Sequence, residues 1–323
     1  MDSGPASFTN APLMQSRAAC SVAVFARNEA ARIGPCLHAL GESRGIARPH
    51  VTVLLNGTCD GSAAAAAAAL CEADLAGCLI DIPHGDKSHA MNLFLHRLRP
   101  PATLYVLMDG YAEVRPDALA RLAERLARRP AAQAAAAMPS TGRSAAALRR
   151  SMLEYPGLHG SLFALRGSFV ERLAAAGLRL PRGLYRGDGL LGSMVMHDLD
   201  ALGGGWEPAR IAMEPAASWV TPPGRPWRWR DLRRHLHRLL RQARGRLEMG
   251  ALREILYREG FAGLPADARR MVLDWIAADP SRAPRLWRDP LARLALAHLR
   301  QPSAEPPPEA LEPRLLFARM PTP

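Results

Sequence analysis

Short apolar runs recur along the first third of the chain, each followed by a polar loop and then by a helix-forming stretch. Ser21-Val22-Ala23-Val24-Phe25-Ala26, His50-Val51-Thr52-Val53-Leu54-Leu55, Cys78-Leu79-Ile80-Asp81-Ile82 and Thr103-Leu104-Tyr105-Val106-Leu107-Met108 have strand length and β-branched or aromatic members. Helix-like segments follow to about Leu40, after Ser62, from Ser88 to Leu98 and from Asp117 to Arg128. Strands that are apolar almost throughout, alternating with helices, predict an α/β fold whose mainly parallel sheet is covered on both faces. Ligands of such sheets bind at the carboxyl edge of the strands. The loops carrying Asn28, Asn56, Lys87 and Asp109 all fall on that edge.

Beyond Ala131 the pattern loosens. Ser161-Leu162-Phe163-Ala164-Leu165 reads as a strand, Gly187-Asp188-Gly189 as a helix start, and Arg210-Ile211-Ala212-Met213 as a last strand. From Pro226 onward, Leu232, Leu236, Leu239, Leu240, Ala243 and Leu247 make one apolar helix face opposite arginines. Further helices are expected over Gly250–Glu259, Asp267–Ala277 and Pro290–Leu299. The resulting division is a flexible leader over 1–19, an α/β domain over 20–222, a basic helical extension over 223–300 and a disordered tail over 301–323. That last segment contains seven prolines and no periodicity.

Composition changes this picture at three points. Lys87 is the only lysine among 42 basic residues. It stands in a strand-to-helix loop, where a compact ammonium and an arginine are not interchangeable. The net charge of +12 is concentrated between Arg225 and Arg246, where nine arginines and two histidines face only Asp231. Such a block calls for an anionic partner: nucleic acid, a lipid surface or a phosphorylated substrate. Five cysteines without a C-x-x-C pair read as reduced thiols of a cytoplasmic protein. No run reaches the ~18 apolar residues of a membrane span. Arg225-Pro226-Trp227-Arg228-Trp229-Arg230 nevertheless suits peripheral contact with an anionic membrane, at the inner face.

The strand-end loops carry the chemistry. Ala26-Arg27-Asn28-Glu29, Asn56-Gly57-Thr58-Cys59-Asp60-Gly61-Ser62, Gly85-Asp86-Lys87-Ser88-His89-Ala90-Met91-Asn92 and Leu107-Met108-Asp109-Gly110-Tyr111 occur in that order. They resemble the P-x-x-N-E, D-G-S-T-D-G-T, G-K-x-x-A-x-N and D-x-D segments of GT-A glycosyltransferases of the family 2 type. The likeness is spread over roughly residues 20–120, with thinner support to about 220.

The resemblance implies a GT-A, Rossmann-like fold and a hexosyltransferase-like enzyme. It would act on a nucleotide-sugar donor and a glycan or lipid-linked acceptor. It assigns Asn28, Glu29, Asn56 and Asp60 to the donor's base and ribose, although for Asn56 turn formation explains the residue as well as contact does. Lys87 falls to the diphosphate, and Asp109 to the donor and to a divalent cation, Mg2+ or Mn2+. Tyr111 replaces the second carboxylate of D-x-D, and a neutral phenol is a poor ligand for a hard cation. Asp188 is similar to the family's acceptor-side base and would make the transfer inverting. Glu154, Asp198 and Asp200 are the weaker candidates for that role. Tyr111 equally motivates a catalytically silent, nucleotide-sugar-binding protein of the same fold. Nucleic acid is the least supported partner, because no recognised module accompanies the arginines.

Overall fold

The computed structural model describes residues 18–142, 145–220, 229–279, 281–282, 289–302 and 304–320, with the side chains of 18, 19 and 229–238 excepted. The four expected strands are β1 (Ala18–Ala26), β2 (His50–Asn56), β3 (Gly77–Ile82) and β4 (Ala102–Asp109). They form a parallel block in the order β3-β2-β1-β4. Helices α1 (Ile33–Gly41), α2 (Ser62–Glu72) and α3 (Lys87–Leu93) connect them. After β4 come β5 (Glu113–Val114), α4 (Ala118–Ala127), β6 (Ala134–Pro139), α5 (Ala145–Glu154), β7 (Leu162–Arg166), α6 (Gly167–Ala175), α7 (Gly187–Met196) and β8 (Ile211–Val220).

The outer strands mix directions. β7 runs antiparallel to β4 and β6, while β8 is parallel to β6 and antiparallel to β5. The pairing of β7 positions the site: Met108 stands opposite Leu162, so the residues entering β7 lie beside the end of β4.

Strand alternation divides the interior. Val22, Val24, Val53, Leu55, Val106 and Met108 pack with α1, α2 and α4. Ala23, Phe25, Leu54, Ile80, Tyr105 and Leu107 face the other way and join a second cluster. That second cluster continues into α8 (Trp229–Glu259) and α9 (Ala268–Ala278) through Ala243, Leu247, Ala251, Leu252, Met271 and Val272. The helical region thus shares one core with the sheet. Gly250, read as the start of a new helix, lies inside α8: a Cβ there would stand 2.8 Å from the Trp275 ring.

The expected disordered tail is corrected over Pro308–Leu311, a helical turn, and Arg314–Arg319, strand β9. β9 pairs antiparallel with β3 and covers an edge that would otherwise present unpaired backbone. The Arg319 guanidinium donates to the Cys71 carbonyl and to Asp74, and His89 Nε2 meets the Leu311 carbonyl at 2.8 Å. Proline content concealed a strand whose partner is remote in sequence. Residues 221–228, with Trp227 and Arg228, lie outside the described residues, so the expected membrane-facing segment is not among them. Among the described residues no helix is long and apolar enough to cross a membrane.

Candidate functional site

At the carboxyl edge the loops after β1 and β2 are tied to each other. Asn28 adopts a positive φ of 56°, and its Oδ1 accepts from the Cys59 N–H at 2.9 Å. Asp60 caps its own turn, accepting from the Ser62 N–H and hydroxyl, and also accepts from the Ala30 N–H at 3.2 Å. The Ser62 hydroxyl bond, helped by the two N–H donors, holds the exposed Asp60 carboxyl below its usual range. The Glu29 N–H donates to the Ser62 hydroxyl at 2.8 Å, and the Glu29 carboxylate lies 3.6 Å from Arg32. Asn56 is only 5% exposed and donates its amide to the Ala26 carbonyl at 3.0 Å. Its Nδ2 is committed to architecture. Gly57, at φ 66°, lets the β3 loop approach: a Cβ there would come within 2.4 Å of Gly85 Cα.

The next loops bring charges face to face. Asp86 is the N-cap of α3, accepting from Ser88 N–H at 2.9 Å and His89 N–H at 3.2 Å. The cap sets Lys87 at the first position of the helix. The half-buried Lys87 ammonium donates to Asp109 Oδ1 at the end of β4 and lies 5.7 Å from the Phe25 ring centre. Tyr111 Oη donates to the other oxygen, Asp109 Oδ2, at 2.7 Å.

The third carboxylate arrives from a distant part of the chain. Asp188, in the first turn of α7, accepts the Gly160 N–H on Oδ2 at 2.7 Å and the Gly189 N–H on Oδ1 at 3.0 Å. Gly160 is the meeting point. A Cβ on it would stand 2.9 Å from Lys87 Nζ, 3.2 Å from Asp188 Oδ2 and 3.7 Å from Asp109 Oδ2. Glycine is what allows one ammonium and two carboxylates to gather here.

Burial pulls the Lys87 pKa down, but Asp109 and Asp188 outweigh it and hold the ammonium above its ordinary value. Burial, then the Asp109 carboxylate, pushes the Tyr111 phenol well up, so it remains a neutral donor. His159 is held below its ordinary value by burial, against the pull of Asp188 and Asp109. Its Nδ1 accepts the Ser161 N–H at 3.3 Å, and its ring stacks on Trp219 at 5.4 Å. Trp219, the stacking partner, is only 2% exposed.

The loop before α7 is clamped from two sides. Gly183 N–H donates to Asp86 Oδ2 at 2.6 Å, and the Ser88 hydroxyl donates to the Leu184 carbonyl at 2.9 Å. Asn92 bonds both ways with the Leu180 backbone, at 2.8 and 2.9 Å. On the other side Glu248 of α8, 1% exposed, accepts from Tyr185 N–H at 2.9 Å and from Arg244 Nε at 2.7 Å. Sequence reasoning missed Gly160 and Glu248 as positioning groups. The weaker base candidates sit elsewhere: Asp198 pairs with Arg172 at 2.6 Å, and Asp200 accepts from the Leu202 and Gly203 N–H groups.

No protein-family model matches the sequence, and no curated protein matches it significantly. Solved structures do. A mannosyltransferase from Pyrobaculum calidifontis, in complex with GDP-mannose and Mn2+, superposes with a TM-score of 0.57 at 21% identity. The match covers 88% of this chain and 85% of that one. TarS of S. aureus, residues 1–349, superposes with a TM-score of 0.50 at 13% identity, over 80% of this chain and 70% of that one. The architecture is the GT-A fold that the motifs imply.

Proposed function

We propose that this protein is a glycosyltransferase that moves a sugar from a nucleotide-sugar donor to an acceptor hydroxyl with inversion. The observation that carries the reading is the gathering of Lys87, Asp109 and Asp188 around Gly160, at the sheet edge where GT-A donors bind. Asp188 takes the acceptor proton as the new carbon–oxygen bond forms. The bond from the sugar carbon to the donor phosphate breaks, and its electron pair leaves on the nucleoside diphosphate. Lys87 supplies fixed positive charge to that leaving group. Asn28, Glu29 and Asp60 border the space for base and ribose, and Asn56 supports the loop from behind.

A divalent cation is compatible with the donor chemistry present. Among the described residues no three His, Cys, Asp or Glu side chains form a cage. Asp109 would therefore be the protein carboxylate that holds Mg2+ or Mn2+, with phosphate oxygens and water completing the shell. When bound, the ion would add charge stabilisation to the departing diphosphate. The Mn2+ and GDP-mannose bound by the Pyrobaculum calidifontis mannosyltransferase support this reading.

A second reading rests on Tyr111. Its phenol and the Lys87 ammonium together occupy both oxygens of Asp109, as in a protein that holds the nucleotide sugar without turning it over. Transfer and donor hydrolysis, assayed across UDP, GDP and dTDP sugars with and without Mn2+, separate the two. Turnover establishes the enzyme. Nucleotide affinity with no turnover of any donor establishes the silent protein, and no affinity for any nucleotide overturns both.

A further inference from the structure

Between α8 and the residue that precedes α7 lies an open cleft of about 310 Å³, lined by Arg186, Gly245, Arg246, Met249, Gly250 and Arg253. Three linings are guanidinium-bearing and none is acidic. Arg246 shares its charge with Asp289 at 2.6 Å, Arg186 interacts with the buried Glu248 carboxylate without forming an ion pair, and among the described residues Arg253 forms no ion pair. Three guanidiniums with a single ion pair among them favour an anion, and their planar forks match phosphate oxygens in particular.

Two features make this more than a charged surface. Glycine weakens a helix interior, yet α8 carries two on this face. A Cβ at Gly245 would strike the Tyr185 ring at 2.9 Å and approach Arg186 Nε at 3.7 Å. Its absence lets Tyr185 and Arg186 lie down on the helix. The loop they belong to is pinned by the buried Glu248, so Arg186 is held in place. Arg186 is also the residue that precedes the first turn of α7, two positions before Asp188. An anion held by Arg186 is thereby tied to the helix start that carries the carboxylate assigned to the acceptor hydroxyl.

We infer that this pocket binds a phosphoryl group carried by the acceptor, making the acceptor a phosphorylated molecule. This rests on the glycosyltransferase reading for the word acceptor, but the pocket can be tested without it. The phosphoryl group belongs either to a free sugar-phosphate-like metabolite or to a lipid headgroup, and the two sources separate by assay.

The full chain, with its donor site saturated by UDP or GDP, is titrated with inorganic phosphate by calorimetry. In a second arm it is floated with phosphatidylcholine vesicles with and without phosphatidic acid. Saturable phosphate binding at millimolar or lower concentration is expected, weakened at least about tenfold in the Arg186→Gln/Arg253→Gln double variant. Lys87→Ala should leave it unchanged. Retention only by phosphatidic acid vesicles, lost in the double variant, identifies the lipid source; binding of phosphate without vesicle retention identifies the free source. If the glutamine pair does not fold, Arg186→Lys/Arg253→Lys retains charge but loses the paired geometry, and weaker binding is again expected. Failure of the wild type in both arms, or equal binding by the variants, overturns the inference. Nucleoside diphosphate affinity, measured in parallel, reports on the donor reading separately: if it is absent, the phosphate titration still decides the pocket.

Discussion

The loops after β1 and β2 tie their polar side chains to one another, whereas those after β3 and β4, with the entry to β7 and the start of α7, set charges against charges. In the first region Asn28, Asn56, Asp60 and Ser62 satisfy backbone groups of neighbouring turns. In the second, Lys87, Asp109 and Asp188 are brought together by Gly160. The first region is held together by neutral and capping hydrogen bonds, and under the proposed function the second is the one that reacts. Substitutions in the two should therefore fail differently, one in stability and the other in turnover.

The largest expected effect is on the reactive side. Asp188→Asn should lower kcat by about 10²–10⁴ while leaving nucleotide affinity near wild type, as read by transfer rates and calorimetry. Lys87→Ala should cost about 10² in kcat/KM and weaken nucleoside diphosphate binding, because the charge next to the leaving group is gone. Asn56→Ala, on the supporting side, should destabilise by about 0.5–1.5 kcal/mol through the lost hydrogen bond to the Ala26 carbonyl, which keeps only the longer bond from the Thr58 hydroxyl. Its folded fraction should keep the wild-type kcat, and a kcat collapse without loss of melting temperature would erase the distinction between the regions. Tyr111→Asp restores a second carboxylate and should tighten Mn2+ binding by about an order of magnitude, measured by paramagnetic resonance.

The smallest effect concerns pH. His159 is held below its ordinary value in the fold, so the unfolded chain binds the extra proton first. Its neutral ring contributes stability above about pH 6.5, and that contribution is lost as pH falls through the folded value. The melting temperature should drop by about 2 °C more between pH 7 and 5 in wild type than in His159→Phe.

The parallel block was legible because Val22 to Phe25, Val51 to Leu55 and Leu104 to Met108 are apolar on both faces, a pattern that tolerates few alternatives. Lys87 and Asp109 could be placed because a strand end and the following loop are adjacent in sequence. The role of Gly160 was hidden, since a glycine next to a strand has many explanations until three other segments close on it. Glu248 follows a run of arginines, and nothing local in the sequence distinguishes it from a solvated charge, although it is buried against the Tyr185 backbone. β9 left only the short run Leu315-Leu316-Phe317 amid prolines, and a strand that depends on a remote partner carries little local signal.

The closure of the sheet by β9 sets a timetable for synthesis. Arg319 and Asp74, which it joins, are 245 residues apart. At a translation rate of about 5–20 residues per second, the edge of β3 waits roughly 12–50 s on the ribosome before its partner strand exists. During that interval the nascent chain carries an open sheet edge, and a chaperone or a neighbouring nascent chain can reach it before the protein's own last strand does.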